Sequence, residues 1–173
     1  MSNSAQKAEA TPPSSERIEQ FLTFQLAGQR YGVEILRVQE IKGWEKPTRL
    51  PHSPSHVQGV INLRGAVVPI LDLRERFALG QAEYGRTTVV IVVKVATSRG
   101  ELTAGMVVDG VCEVCNLSGQ DLRPPPEMAV AIETDLVRGL AMVEDRMLIL
   151  LDVGRLVTSA LGEQAVADAS KAA

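Results

Sequence analysis

Residues 58–73, Gln-Gly-Val-Ile-Asn-Leu-Arg-Gly-Ala-Val-Val-Pro-Ile-Leu-Asp-Leu, carry the clearest fold signal in the chain. Two apolar runs, residues 58–63 and 66–71, flank the dipeptide Arg64-Gly65, and this pattern predicts a β-hairpin. Asp72 follows the second run directly and is a favourable N-cap residue for a short helix. The segment therefore predicts a strand, a tight turn, a second strand and the start of a helix.

The same order of residues recurs near the C-terminus. Residues 59–72 match residues 139–152 at an offset of 80, and further upstream residues 31–41 match residues 104–114 at an offset of 73. The difference between the offsets falls in the connection that contains three prolines, residues 124–126, where an insertion costs little. The repeat predicts two similar β subdomains that pack against each other with an apolar groove between them.

Further apolar or β-branched runs, separated by Gly and Pro, predict more strands. These runs lie at residues 21–26, 87–95, 102–108, 112–117, 139–143 and 147–151. Helical pattern is confined to short stretches after Asp72 and Asp152, whereas residues 34–41 fit a helical turn as well as an extended segment. The sequence therefore predicts a mostly β fold of small barrels or sandwiches with a few short helices.

Both ends of the chain differ from this body in composition. Residues 1–19 are rich in Ser, Ala, Pro and Glu without an apolar period, and they predict a flexible leader. Residues 158–173 are Ala-rich and predict the end of a helix or a frayed tail. The domain itself is expected to span residues 20–157, with repeated motifs near 31–73 and 104–153.

The composition restricts the classes of partner. The 173 residues include 18 basic and 21 acidic side chains, a net charge of −3, and only 3% are aromatic. Nucleic-acid-binding proteins usually present a basic face, often with aromatic stacking platforms, so these values argue against a nucleic-acid partner. No apolar run reaches the ~18–20 residues that cross a bilayer, and the N-terminus lacks the apolar stretch of a secretory signal. We therefore expect a cytoplasmic protein without membrane insertion.

Patterns that would indicate catalysis are weak. The chain has two histidines, His52 and His56, and Pro54 between them disfavours a helix that would place both on one face. The sequence contains no Ser-His-Asp order around a glycine-flanked nucleophile, no phosphate-binding loop and no dinucleotide fingerprint. The sequence therefore predicts a protein that is not an enzyme and has no cofactor or bound metal.

Cys112 and Cys115 form a CxxC pattern. The pattern lies in an apolar strand run rather than at the start of a helix, where the thiol pKa would be lowered. No second CxxC or neighbouring His supplies further zinc ligands, so we expect two small, partly buried apolar residues. The alternative function that stays open is a thiol-based redox or metal-responsive regulator that uses Cys112 and Cys115.

Two charged residues lie in otherwise apolar surroundings. Glu40 follows Val38 in the first repeat and has the counterpart Glu113 in the second. Arg64 lies at the tip of the predicted hairpin, where the second repeat has Glu144. A solvated turn arginine and an exposed glutamate are one interpretation. A one-sided binding site is the other, because the arginine occurs in only one half.

At these residues the sequence resembles the CheW family of bacterial chemotaxis coupling proteins. The resemblance rests on the motifs at residues 31–41, 59–65, 68–74, 88–93, 107–111 and 145–150, above all on Asn-Leu-Arg-Gly and the Asp-Leu-Arg that follows it. It covers about residues 20–157. The resemblance implies a CheW-like fold of two five-stranded SH3-like β-barrel subdomains with a few short helices.

The resemblance also implies a function. It implies a non-enzymatic adaptor that couples chemoreceptors to the histidine kinase CheA and is recruited to membrane-associated receptor arrays. The implied partners are the regulatory domain of CheA and the cytoplasmic tip of methyl-accepting chemoreceptors. By matching positions, the resemblance assigns receptor binding to Val38, Glu40 and Arg64, and it places Gly59 in a region linked less specifically to partner binding.

Overall fold

The computed structural model describes residues 17–81, 83–126 and 134–161. In chain order the strands are β1 (Ile18–Leu26), β2 (Gln29–Glu34), β3 (Val38–Gly43), β4 (Val57–Leu63), β5 (Ala66–Asp72), β6 (Val89–Thr97), β7 (Gly100–Val108), β8 (Gly110–Ser118), β9 (Val137–Val143) and β10 (Arg146–Leu151). The helices are α1 (Leu73–Arg76) and α2 (residues 153–161), with 3₁₀ turns at Ile35–Arg37, Gly119–Asp121 and Thr134–Leu136. The predicted hairpin and the mostly β fold class are confirmed.

The strands form two five-stranded sheets. The first sheet has the order β8-β1-β2-β10-β9, and the second has the order β3-β6-β7-β5-β4. Each contains one parallel pair, β2 with β10 and β5 with β7, and its other neighbours are antiparallel. In the described residues no ladder joins β8 to β9 or β3 to β4, so these are SH3-like sheets with open edges rather than fully hydrogen-bonded barrels.

The two sheets are related by an exchange of strands. Adding five to each strand number of the first sheet, and starting again at β1 after β10, gives the strand order of the second sheet. Each half of the chain therefore contributes two strands to one sheet and three to the other. The motif stretches 31–73 and 104–153 do not build one subdomain each, because β2 and β3 lie in different sheets and so do β7 and β8. Neither half of the chain therefore contains all the strands of either sheet.

The main hydrophobic core lies between the sheets. It takes buried side chains from both sheets and from α2, among them Phe24, Ile91, Met106, Leu151 and Leu156. Two smaller clusters, one in each sheet, complete the core. The strand predicted at residues 87–95 is confirmed and buried at its centre. Because apolar burial is the main stabilising term of folding, this shared core joins the two sheets into one body.

The two predicted helix starts are confirmed. The Asp72 carboxylate accepts hydrogen bonds from the backbone N–H of Arg74 (3.0 Å) and of Glu75 (3.4 Å). The Asp152 carboxylate accepts one from the backbone N–H of Arg155 (3.1 Å). Each aspartate satisfies N–H groups that have no partner inside the helix, which is the physical basis of N-capping.

Three boundaries differ from the simplest sequence interpretation. The ambiguous residues 34–41 adopt both predicted forms, a 3₁₀ turn followed by β3. β1 begins at Ile18, two residues inside the predicted leader, because Ile18 and Glu19 extend the ladder with β8. Helix α2 buries Leu161, so the packed structure extends past residue 157. The rest of the predicted leader and tail, residues 1–16 and 162–173, lies outside the described residues.

A candidate partner-binding face on the second sheet

The hairpin between β4 and β5 presents Arg64 to solvent. Arg64 and Gly65 have φ angles of +51° and +89°, as in the two-residue turns that match the twist of antiparallel strands. The side-chain oxygen of Asn62 accepts a hydrogen bond from the Gly65 N–H at 2.9 Å and closes the turn. The Arg64 side chain is 80% exposed, so its guanidinium lies at the tip with most of its donors free for a partner.

Glu40 lies on the opposite edge of the same sheet and contacts Arg64. It follows a register shift in β3, where Val38 pairs with Val93 and Glu40 with Val92. The Glu40 carboxylate forms an ion pair with the Arg64 guanidinium, with 2.7 Å between Oε2 and Nη2. β3 is an outer strand of the second sheet, so this ion pair shows that the sheet curls far enough for the β4–β5 turn to reach β3, although no ladder joins β3 to β4 in the described residues. The structure thus joins two residues that lie 24 positions apart in the sequence.

The ion pair contributes little to folding stability. An exposed pair contributes at most about 1 kcal/mol, because water screens the charges and the side chains lose rotamer freedom. The Glu40 side chain is 25% exposed, so it anchors the arginine while both charges stay accessible. What this arrangement provides is a charged group of defined orientation at the edge of the sheet.

Val38 and Gly59 have structural roles in addition to their predicted ones. Val38 begins β3 and packs, partly buried, against the main core. Gly59 has a φ of +138°, and a Cβ placed there would lie 2.2 Å from the carbonyl oxygen of Thr48. Thr48 and Val60 exchange two backbone hydrogen bonds of 2.9 Å, which holds that carbonyl in place. These contacts give both residues a structural role, and the assignment of receptor binding to Val38 and of partner binding to the region of Gly59 stays a prediction.

Two exposed apolar residues close to Glu40 in the chain were not recognised as surface residues in the sequence analysis. Leu36 is 92% exposed in the 3₁₀ turn that leads into β3, and Ile41 is 45% exposed within the strand. Both lie in residues 34–41, whose pattern fits a helical turn as well as a strand. The sequence therefore could not show that Ile35 faces the core and that Leu36 does not. We define the β3 face as residues 36–41 together with Arg64.

The cavity between the sheets is lined by charged as well as apolar residues, so the groove expected between the subdomains is not purely apolar. It has a volume of about 290 Å³, and Glu34, Arg37, Arg138 and Asp152 are among its lining residues. The apolar side chains of both sheets are buried in the shared core, and charged groups from the strand ends line the opening. Arg138 donates hydrogen bonds to Glu34 (2.5 Å) and to Glu19 (2.7 Å). The hydrogen bond from Arg138 lowers the pKa of Glu19.

An ion pair also ties the two sheets together. Arg74, in α1 beside the second sheet, donates two hydrogen bonds to Asp109 at 2.8 and 2.5 Å. Asp109 accepts a third from the backbone N–H of Ala27, in the β1–β2 turn of the first sheet (2.8 Å). Burial acts to raise the pKa of Asp109, but the bonds from Arg74 and Ala27 outweigh it and bring the pKa below its ordinary value.

Cys112 and Cys115 lie on β8, the edge strand of the first sheet, and both thiols are free. Cys115 packs in the small core of that sheet with Phe21 and Leu117. Burial, with a contribution from the Glu113 charge, raises the pKa of Cys115, so less reactive thiolate forms. In the described part of the chain no three His, Cys, Asp or Glu side chains are placed to hold a metal ion. The redox or metal-responsive alternative is therefore not favoured.

Comparison with known proteins identifies the family. The model of the CheW-like domain matches residues 20–161. The chain belongs to the CheW family. It is 44% identical over 141 residues to the chemotaxis protein CheW of Klebsiella aerogenes, a match that covers 82% of each chain. It is 36% identical over 140 residues to the chemotaxis protein CheW of Rhizobium meliloti, covering 81% of this chain and 88% of the relative.

A solved structure supports the same conclusion about fold. The crystal structure of the scaffolding protein TtCheW from Thermoanaerobacter tengcongensis superimposes with a TM-score of 0.73 at 30% identity, over 86% of this chain and 90% of that one. CheW proteins are non-enzymatic scaffolds of chemotaxis signalling, and this chain is one of them. Within the described residues no helix is both long and apolar enough to span a membrane.

Proposed function

We propose that this protein is the cytoplasmic adaptor that couples chemoreceptors to the histidine kinase CheA at membrane-associated receptor arrays. Membership of the CheW family and the likeness to a scaffolding protein support the general role. The observation that carries the specific proposal is the contact between Glu40 and Arg64 at the curled edge of the second sheet. An adaptor needs such an oriented, accessible charge, whereas the fold gains little from it.

The cytoplasmic tip of a methyl-accepting chemoreceptor binds at the β3 face in this proposal. The receptor tip is helical, and an amphipathic helix binds a protein surface through a few apolar anchors. The exposed Leu36 and Ile41 supply apolar contact area beside the charged pair. Val38 supports the strand from beneath, and Glu40 with Arg64 sets the orientation of the helix and disfavours partners of the wrong charge pattern.

The regulatory domain of CheA is the second partner in this proposal. That domain is itself CheW-like, so the contact is between related folds. The chain offers separate strand edges for two partners, β3 and β4 in one sheet and β8 and β9 in the other. The two sheets share one core and are joined through Arg74 and Asp109. A displacement of one edge strand on partner binding would therefore be transmitted to the other sheet. Coupling then requires that the bound geometry favour one kinase state.

The test is the variant Arg64→Glu, with Glu144→Arg as the matched control. Residue 144 occupies the equivalent turn of the first sheet with the same φ of +51°, so the control reverses a charge in the same backbone geometry. We expect Arg64→Glu to keep the unfolding free energy within about 1 kcal/mol of the parent, because the pair is exposed. We expect it to abolish receptor control of CheA activity in a reconstituted array, with normal control in Glu144→Arg. Normal kinase control in Arg64→Glu would contradict the assignment.

A charge-swapped double variant separates two explanations of that result. Glu40→Arg with Arg64→Glu rebuilds an ion pair of opposite orientation at the same place. We expect kinase control to stay lost, because the receptor contacts the charges themselves. Recovery of control would show that the pair acts only by holding the edges of the sheet together, and the direct receptor contact would then be withdrawn.

A further inference from the structure

We propose that a pocket in the first sheet binds the carboxylate of an acidic side chain from a protein partner. The pocket has a volume of about 430 Å³ and lies between the β1–β2 turn and the start of β10. It is lined by Gln25, Gly28, Gln29, Arg30, Arg146 and Met147. The β3 face belongs to the other sheet, so this pocket is a separate site.

Arg30 lines the pocket, and its hydrogen-bonding capacity is incompletely used. Its Nε is buried and has no hydrogen-bond partner in the described part of the chain. Its Nη1 lies 3.7 Å from the nearest Glu113 carboxylate oxygen. A charge-assisted hydrogen bond between such groups is about 2.7–2.9 Å long, so Glu113 balances the charge without satisfying the donor. The Nε is closed off from solvent, so a ligand in the pocket would contact the exposed 20% of the Arg30 side chain, whose charge Glu113 pairs only loosely.

A second arginine faces the same space without an acidic partner. Arg146 begins β10 and is exposed, and no carboxylate in the described ranges pairs with it. The floor between the two arginines is fixed, because the Gln29 amide donates to the carbonyl oxygens of Arg30 (3.2 Å) and Met147 (2.9 Å). The bond to Met147 joins β2 to β10, the two strands that carry the arginines.

The charge of the site favours a carboxylate over a doubly charged phosphate. The two arginines that line the pocket carry two positive charges, and Glu113, 3.7 Å from Arg30, offsets one of them; Glu144 and Asp145 are outside this sum because they are not among the lining residues. Glu144 and Asp145 lie in the adjoining turn and disfavour a second negative charge on the ligand. Met147 and the aliphatic parts of the arginines offer apolar surface for the methylene groups of an acidic side chain. A single carboxylate on a short aliphatic stem is therefore the matching chemistry.

The site is not a by-product of the internal repeat. At the offsets of 73 and 80 residues, the positions that match Arg30 and Arg146 are Thr103 and Ala66. The second sheet therefore has no arginine pair at the equivalent place. That the carboxylate is delivered by a protein rests on the proposed adaptor function, since a scaffold acts through protein partners.

The test titrates the full chain with a blocked peptide, acetyl-Gly-Glu-Gly-amide, and follows the amide and arginine Nε–H signals by NMR. We expect saturable shifts at Arg30, Gly28 and Gln29 in the millimolar range. We expect the matched peptide acetyl-Gly-Gln-Gly-amide and inorganic phosphate to bind at least about tenfold more weakly. Arg30→Gln should weaken binding of the Glu peptide about tenfold, the usual effect of losing a charged hydrogen-bond partner. Arg99→Gln removes the same charge from an exposed turn and should have no effect.

Thermal and chemical unfolding of Arg30→Gln provide an independent readout. We expect its stability to equal or exceed that of the parent, because a buried unsatisfied donor is removed. A strongly destabilised variant would show that Arg30 is structural and would overturn the proposal, as would unchanged peptide binding by the variant. Tighter binding of phosphate than of the Glu peptide would overturn the carboxylate assignment. The titration contains neither receptor nor kinase, so its failure would leave the test of Arg64 unaffected.

Discussion

The two hairpin tips of the molecule have similar backbone geometry, but their side chains carry opposite charges. In the second sheet the β4–β5 turn is Arg64-Gly65, and Arg64 pairs with Glu40 across the edges of the sheet. In the first sheet the β9–β10 turn is Glu144-Asp145, with the same φ of +51° at its first position. The counterpart of Glu40 is Glu113, which lies near Arg30 instead. The difference teaches that the repeat kept the backbone of the turn while the charges at its exposed tip changed, which is where the proposed receptor contact of Arg64 lies.

The scaffold contacts, by contrast, recur in both sheets. Thr48 and Val60 form an isolated bridge before the first hairpin, and Arg123 and Leu140 form the equivalent bridge before the second. Gly59 and Gly139 lie beside these bridges, but they differ in how closely the opposing backbone approaches. A Cβ at Gly59 would lie 2.2 Å from a carbonyl oxygen, and one at Gly139 would lie 3.3 Å from its counterpart. This pair gives the largest predicted difference between the two halves.

We expect Gly59→Ala to lower the unfolding free energy by about 3–5 kcal/mol, because it combines a backbone clash with a positive φ of +138°. Gly139→Ala should cost about 1 kcal/mol or less, since the opposing backbone needs to shift by only a few tenths of an ångström. Chemical denaturation of both variants measures the contrast. Equal losses would show that the two bridges are equally tight and that Gly59 has no special structural requirement.

The next contrast concerns the link between the sheets. Arg74 and Asp109 form a bidentate ion pair, whereas the matching positions in the other repeat, Gly154 and Leu36, cannot form one. We expect Asp109→Asn to cost about 2 kcal/mol at neutral pH, because the charged hydrogen bonds are lost. The folded pKa of Asp109 lies below its unfolded value, so its contribution is present above about pH 4 and disappears as the pH falls through the folded pKa.

The difference in stability between the parent and Asp109→Asn should therefore shrink as the pH falls below about 4. Denaturation between pH 3 and pH 7 measures this dependence. A constant difference across that range would show that the aspartate contributes by packing rather than by its charge.

The cysteines provide a contrast within one edge strand. Cys115 packs against Phe21, whereas Cys112 lines an open cavity beside Asp109. We expect Cys115→Ser to cost about 1 kcal/mol, because a hydroxyl is moved into apolar surroundings. We expect Cys112→Ser to change the unfolding free energy by less than about 0.5 kcal/mol. The double variant should retain receptor control of CheA in a reconstituted array. Loss of control with an intact fold would revive the thiol-based regulator.

The smallest predicted effect lies at the hairpin tips themselves. Asp145 has a φ of +61°, at the place where the other turn has Gly65. We expect Asp145→Gly to stabilise the chain by about 0.5 kcal/mol. Glycine removes the strain of a side chain at positive φ, and this gain slightly exceeds the larger entropy that glycine loses on folding. Gly65→Asp is the reciprocal variant and should destabilise by a similar amount. Destabilisation by Asp145→Gly would show that the aspartate side chain stabilises its own turn.

Local patterns in the sequence were sufficient for the elements of the fold. The hairpin around Arg64-Gly65, the caps at Asp72 and Asp152 and the buried strand β6 were all predicted, because each depends on residues adjacent in the chain. The candidate binding role of Glu40 and Arg64, which stays a prediction, was also inferred from sequence, because both are charges in apolar surroundings and only Glu40 has a counterpart of the same charge in the second repeat. Their contact was not, because it depends on how far a sheet curls.

The sequence by itself determined that the chain is duplicated, mostly β and a member of the CheW family, since repeats, alternation and turn residues are local records of the fold. Only the tertiary structure decided that each half supplies strands to both sheets, because local pairing preferences are the same whether a hairpin pairs within its own half or with the other. Tertiary packing also decided which residues share a surface. It joined Glu40 to Arg64, exposed Leu36, placed charged groups in the cavity between the sheets and left the guanidinium of Arg30 without a full set of partners.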